Sequence, residues 1–183
     1  MGRLDNKVAI ITGGANGMGA ATCRLFAREG CKVAIADRVE NEGRQMASEI
    51  RSAGGDAIFV YLDVTSEEGW QQVVEQVVDH YGRLNILVNF AGISSSIYPD
   101  HTSTEAWDHY MAVNAKGPFL GAKYAVPKMK EVGGGSIVNV SSRLGLSGSE
   151  TGNPGYHTSK AALRLFTKST AARYGPDNIR ANS

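Results

Sequence analysis

Thr12-Gly13-Gly14-Ala15-Asn16-Gly17-Met18-Gly19 follows directly on the apolar run Val8-Ala9-Ile10-Ile11 and leads into a stretch of helical composition. A short run that is apolar at every position reads as a strand buried on both faces, since successive side chains point to opposite faces. Glycines placed directly after it let the chain turn tightly and let a ligand approach the backbone. The helix that opens at the end of the loop adds free N–H groups and a partial positive charge. Together these features describe a cradle for a pyrophosphate. The spacing is G-x-x-x-G-x-G at Gly13, Gly17 and Gly19, different from the commoner G-x-G-x-x-G. No Gly-Lys-Ser/Thr closes the loop, so it is not a P-loop.

Working outward, further short Val- and Ile-rich runs recur at Val33–Ala36, Ala57–Leu62, Ile86–Val88 and Ile137–Val140. Each is expected to be a strand buried on both faces. Helical periodicity fills the gaps between them. Trp70, Val73, Val74, Val77, Val78 and Tyr81 form an unbroken stripe, preceded by Thr65 as N-cap with Glu68 completing a capping box. Met18, Ala21, Leu25 and Phe26 suggest a second stripe, and Met46, Ala47, Ile50 and Ala53 a third. A longer helix is expected from Thr104 to about Lys130, kinked at Pro118, which leaves the Asn114 carbonyl free to bind water. Strands and helices alternating in this way predict an α/β fold with a doubly wound parallel sheet. No repeat or linker divides the chain, so residues 1–183 read as one domain. Ile179-Arg180-Ala181 begins a sixth strand, and the domain is expected to end within it.

Composition excludes several function classes. Lys and Arg number 19 against 18 Asp and Glu, so no net field favours nucleic acid or an anionic membrane. No apolar run approaches the roughly 18 residues of a membrane span. Two cysteines, Cys23 and Cys31, give no disulfide framework and point to a reducing, cytoplasmic compartment. The four histidines lack metal-ligand spacing, and no metal is expected. His101 and His157 read as surface or helix-face residues. Trp107, Met111 and Phe119 are expected to pack between helices.

Two further constellations carry chemistry. Asp37 closes the second strand, where a carboxylate accepts both ribose hydroxyls of an adenosine and repels a 2′-phosphate. NAD is therefore favoured over NADP, with Arg38 leaving room for some dual use. Tyr156-His157-Thr158-Ser159-Lys160 sets a phenol and an ammonium one helical turn apart, after Asn153 as N-cap and Pro154 at the first helical position. A free phenol, with a pKa near 10, is a weak base at neutral pH. A neighbouring ammonium and the positive helix end favour its ionised form. The fifth strand runs into Ser141-Ser142, which places a hydroxyl on the same sheet edge as the glycine loop.

In their order and spacing these residues resemble the short-chain dehydrogenase/reductase family in its single-domain form. The likeness extends from Lys7 to the end and includes Asp63-Val64, Asn89-Phe90-Ala91-Gly92, Asn114, Ser142 and Tyr156 with Lys160. It implies a Rossmann-like sheet of order 3-2-1-4-5-6. It also implies that Gly13, Asn16, Gly17, Met18 and Gly19 hold the cofactor phosphates, that Asp63 and Val64 meet its adenine, and that Asn89, Ala91 and Gly92 support it behind the fourth strand. Tyr156 becomes the general acid/base, and Lys160 binds the nicotinamide ribose and favours the phenolate. Ser142 orients the substrate oxygen and Asn114 holds a relay water. Ser142 is chosen over Ser141 because Gly145 follows it with the family's spacing. The substrate is a small alcohol or ketone, and a homo-oligomer, dimer or tetramer, is implied. Phe90 stands where the family has a second Asn, and the stretch from Ser142 to Tyr156 is one residue longer than usual. In the family a substrate loop and a seventh strand follow the sixth.

The leading expectation is hydride transfer between NAD and a secondary alcohol or ketone. The competing one is a nucleotide-binding module without turnover, its nicotinamide half left unformed by an absent C-terminal segment. A methyltransferase on a similar sheet leaves Ser142, Tyr156 and Lys160 without a role.

Overall fold

The computed structural model describes residues 2–183. Six strands, β1 (Val8–Thr12), β2 (Lys32–Asp37), β3 (Asp56–Tyr61), β4 (Ile86–Asn89), β5 (Gly135–Asn139) and β6 (Ile179–Asn182), form one sheet of order β3-β2-β1-β4-β5-β6. Every pairing is parallel. The order reverses direction at β1, so the carboxyl ends of β1 and β4 splay apart and leave a crevice above them. Six helices, α1 (Gly17–Arg28), α2 (Glu40–Ser52), α3 (Glu67–Tyr81), α4 (Thr104–Met111), α5 (Gly117–Glu131) and α6 (Pro154–Tyr174), complete the layers.

The core lies on both sides of the sheet, sorted by strand parity. Val8 and Ile10 face a cluster with Trp70, Val73, Val77, Leu120 and Met129 from α3 and α5. Ala9 and Ile11 face the other way, towards Cys23, Met46, Ala47 and Ile50 from α1 and α2. Both faces of β1 and β4 are buried, as continuous apolar runs require. β5 departs from that expectation in part, since Val138 is only half-buried, and β3 departs further. It is an edge strand, with Ile58 and Phe59 half-buried and Tyr61 60% exposed, because only β2 pairs with it.

Three helical details depart from the sequence reading. On α1 the buried residues are Gly19, Ala20 and Cys23, while Met18 is 71% and Leu25 44% exposed. The inward stripe is made of small residues because this helix lies close to the loop that starts it. At α3 the N-cap is Ser66, whose Oγ accepts from Gly69 N at 3.0 Å, and not Thr65. The Thr65 hydroxyl donates instead to Asp63 Oδ1 at 2.7 Å, and Glu68 accepts from Gln72 rather than closing a capping box. The expected kink at Pro118 is replaced by a wider π turn at Ala112–Lys116, in which Gly117 N donates to the Ala112 carbonyl. Inserting one extra residue re-aims the side chains of that turn, a feature frequent at functional sites.

Trp107 and Phe119 are not enclosed between helices as expected. They remain 42% and 48% exposed, with Phe119 edge-on to Phe166 of α6 at 6.1 Å. His157 also differs, since its Nε2 is buried against Gly152 without a hydrogen-bond partner.

Candidate active site

The glycine loop takes the shape its sequence calls for. Gly13 and Gly17 have φ of 66° and 58°, a region open to glycine at little cost. A Cβ on Gly19 would lie 2.1 Å from the Gly13 carbonyl oxygen, so the start of α1 closes down on the loop only without a side chain there. Asn16 is the N-cap of α1, yet its side chain makes no capping hydrogen bond, and no acidic residue sits in the first turn. By contrast, Ser66, Ser103 and Asn153 each cap their helices with a side-chain oxygen. The N–H groups of the α1 first turn are thus left for an anion.

Beside the loop lies a crevice of about 270 Å³. Of the predicted residues, Gly13, Asn16, Asp37, Asp63, Val64, Ala91 and Gly92 line it. The sequence reading missed its apolar walls, Leu62, Ile93 and Val113, which are neighbours of recognised positions but carry no motif of their own. Asp37 accepts from Ala15 N at 3.0 Å and Val39 N at 3.1 Å, so the glycine loop itself holds the carboxylate at the crevice rim. Burial raises the Asp63 pKa, but the Thr65 N–H and hydroxyl and the charge of Arg38 outweigh it, and the carboxyl sits below its ordinary value. Arg38 reaches Asp63 at 3.7 Å. Val64 is pinned from behind: its carbonyl accepts from Trp70 Nε1 at 3.0 Å.

Asn89 points away from this crevice. Its Nδ2 donates to Asn139 Oδ1 at 2.7 Å, and Asn139 donates onward to Thr167 Oγ1 at 2.9 Å, a buried polar chain tying β4 and β5 to α6. Phe90 joins the apolar cluster on the α1 side of the sheet. Ala91 N donates to Thr12 Oγ1 at 3.0 Å, which fixes the chain leaving β4 against the end of β1.

A second group assembles around Gly92. A Cβ there would stand 3.0 Å from Asn114 Oδ1 and 3.4 Å from Lys160 Nζ, so the two side chains converge on a residue that has none. Asn114 is fully buried. It accepts from Ile93 N at 2.9 Å and donates to the Ile93 carbonyl at 3.3 Å and Ser159 Oγ at 3.2 Å. Ser159, which sequence reading passed over within Tyr156–Lys160, thereby orients Asn114. Lys160 is 6% exposed and donates to the Val140 carbonyl at 2.8 Å. Burial pulls its pKa down to about 8. The ammonium lies 5.9 Å from the centre of the Tyr156 ring.

Ser141 and Ser142 have different duties. Ser141 Oγ donates to the Lys160 carbonyl at 2.9 Å, an anchor between the β5 loop and α6. Ser142 Oγ accepts from Leu144 N at 3.1 Å, capping the 3₁₀ turn Arg143–Gly145. That leaves the Ser142 O–H to donate elsewhere. Gly145 packs against the Lys160 backbone so tightly that a Cβ would lie 2.8 Å from it. No group of three or more metal-ligating side chains occurs among the described residues, and none of their helices is long and apolar enough to cross a membrane.

A doubly wound sheet with a glycine cradle at its switch point, an acidic β2 end and a Tyr–Lys pair on the same edge defines a nucleotide-dependent oxidoreductase scaffold. The profile of the short chain dehydrogenase family matches residues 7–183, and the chain belongs to that family. It is 45% identical to a cyclopentanol dehydrogenase of Comamonas testosteroni over 183 residues, all of this chain and 73% of that protein. It is 44% identical to a 3-alpha-(or 20-beta)-hydroxysteroid dehydrogenase of Mycobacterium tuberculosis, again over the whole chain and 68% of that protein. A crystal structure from Burkholderia xenovorans, assigned to the short-chain dehydrogenase/reductases, superposes with a TM-score of 0.93 at 33% identity, covering 100% of this chain and 74% of that one. The uncapped α1 terminus, the side-chain-free cradle and the carboxylate rim fit a pyridine dinucleotide.

Proposed function

We propose that this protein interconverts a secondary alcohol and a ketone with NAD, Tyr156 acting as general acid/base. The observation that carries the reading is the stacking of Tyr156 and Lys160 one turn apart on α6, with the buried ammonium converging on Gly92 beside Asn114. NAD, when bound, supplies the hydride acceptor. Gly13, Asn16, Gly17, Met18 and Gly19 would hold its phosphates, Asp37 its adenosine ribose, and Asp63 and Val64 its adenine. Ala91 and Gly92 would back it, with Asn89 holding the end of β4 from behind through Asn139, and Tyr156 and Lys160 would take the second ribose. Asp37 disfavours the extra phosphate of NADP.

The chain's own residues manage one proton. Ser142 donates its free O–H to the substrate oxygen, and Tyr156 takes the proton from that oxygen or returns it. The Lys160 ammonium stands 5.9 Å from the centre of the Tyr156 ring on the same side of α6. Pro118 has no N–H to donate to the Asn114 carbonyl, and a water held there would connect Lys160 to solvent.

The names of the two dehydrogenase relatives support a cyclic secondary alcohol as substrate. Trp107, Phe119 and Leu165, exposed on α4, α5 and α6, support a dimer or tetramer. Two free, buried cysteines support a reducing, cytoplasmic setting. The chain as a single domain, residues 1–183, is part of the same reading. The test is to titrate NAD and then follow appearance of the reduced nicotinamide with cyclopentanol and a hydroxysteroid. Turnover supports the reading. Binding without turnover replaces it with a nucleotide-binding module.

A further inference from the structure

Tyr110 belongs to none of the motifs above, yet its surroundings tie three parts of the site together. It is fully buried near the end of α4, one helical turn before Asn114. Its ring stands edge-on to that of Tyr156, with centroids 6.0 Å apart at 77°. It also abuts Gly155, where a Cβ would come within 3.0 Å of Tyr110 Cδ2. Its hydroxyl donates to the Ser94 carbonyl at 2.9 Å. Ser94 lies in the loop that leaves β4 directly after the Ile93 held by Asn114. On its other side Tyr110 meets Tyr98 edge-on at 5.7 Å, and the Tyr98 hydroxyl shares a 2.6 Å hydrogen bond with His109 Nδ1. Asn153, the cap of α6, reaches the Asp100 carbonyl at 3.4 Å. The loop from Ile93 to Asp100 is thus fastened to α4 and to the head of α6, with Tyr110 at the junction.

We propose that Tyr110 is a positioning residue: its ring braces Tyr156 and its hydroxyl holds Ser94, so that the loop after β4 and the α6 tyrosine are set as one unit. The proposal rests on the reading of Tyr156 as the acid/base. An aromatic ring fixes the Tyr156 ring in direction without contributing a competing hydrogen bond to its hydroxyl. Deleting the donor would loosen the loop at Ser94, since this part-buried hydrogen bond ties it to the α4 ring. Correct placement of a reacting group is worth far more in rate than the contact itself contributes to stability.

Two variants separate the halves of this claim. Tyr110→Phe keeps the ring and deletes the bond to Ser94. Amide hydrogen exchange over residues 93–97 should quicken by about fivefold, the worth of one net hydrogen bond. The KM for cyclopentanol should rise by more than kcat falls. Tyr110→Leu removes the brace, and kcat at saturating cyclopentanol should drop at least about tenfold. Unchanged exchange over 93–97 in Tyr110→Phe overturns the anchor. An undiminished kcat in a folded Tyr110→Leu protein overturns the brace. If the leucine variant does not fold, the exchange and KM results of Tyr110→Phe decide alone. Failure of the parent reading looks different: Tyr156→Phe would retain turnover while the exchange effect of Tyr110→Phe persisted.

Discussion

Replacing Lys160 with Met separates what the ammonium costs the fold from what it offers the site. The side chain is 6% exposed with one protein acceptor, the Val140 carbonyl, and burial lowers its pKa from 10.5 to about 8. At 1.36 kcal/mol per pH unit that gap amounts to about 3 kcal/mol held against the folded state. Below pH 8 the lysine is charged both folded and unfolded, and the cost is present in full. Between pH 8 and 10.5 the unfolded chain binds a proton that the folded one has released, so stability rises with pH through this window. Methionine carries no such proton. The stability of the parent protein relative to Lys160→Met should therefore increase by about 2–3 kcal/mol from pH 7 to pH 10. Contributions that do not titrate, including the lost bond to Val140, cancel in that pH dependence. Urea unfolding of both proteins, followed by circular dichroism in steps across this range, measures it. A difference independent of pH would refute the claim that the buried ammonium is desolvated. The costly lysine is a local rule broken at the candidate site, where the proposed function gives it a role.

Asp37→Ser removes the carboxylate that the glycine loop holds at the crevice rim, and should shift the ratio of kcat/KM for NADP over NAD upward by at least about tenfold. An unchanged ratio would show that Asp37 does not read the ribose. Asn139→Ala breaks the buried chain from Asn89 to Thr167 and leaves a donor and an acceptor stranded, a loss of about 2–3 kcal/mol in urea unfolding. A change under about 0.5 kcal/mol would mean that the chain relaxes onto other partners.

Much of the fold was legible because burial on both faces leaves a plain mark: Val8–Ile11 and Ile86–Val88 have no polar parity. β3 misled for the same reason, since apolar residues on an edge strand read like those of an inner one until its neighbours are known. The α1 stripe is deceptive in sequence because Met18 and Leu25 are large and apolar but face solvent, whereas the inward positions are small. Hydrophobicity ranks the large residues first, and only close approach of helix to loop explains the small ones. At α3, Thr65 and Ser66 are both capping residues by type, serine the better of the two. The choice was made by Asp63, three-dimensionally placed to claim the threonine.

The site was legible in part. Gly13, Asp37, Asp63 and Gly92, far apart in sequence, line one crevice. The π turn at Ala112–Lys116 was not legible, because a proline announces a disturbance without saying whether a kink or an inserted residue absorbs it. Ser159 and Tyr110 were invisible for a different reason: each acts on a residue from another segment, Asn114 and Tyr156 respectively, and no local pattern marks such a contact.

Tyr156→Phe tests the central claim most directly, since it deletes one hydroxyl and leaves the ring against Tyr110. Steady-state oxidation of cyclopentanol is measured alongside NADH binding by fluorescence titration. The account predicts that kcat falls by at least about a hundredfold, the span of general acid–base catalysis, with NADH affinity within about threefold of the parent protein, a change of well under 1 kcal/mol. Turnover retained within a few-fold would contradict it.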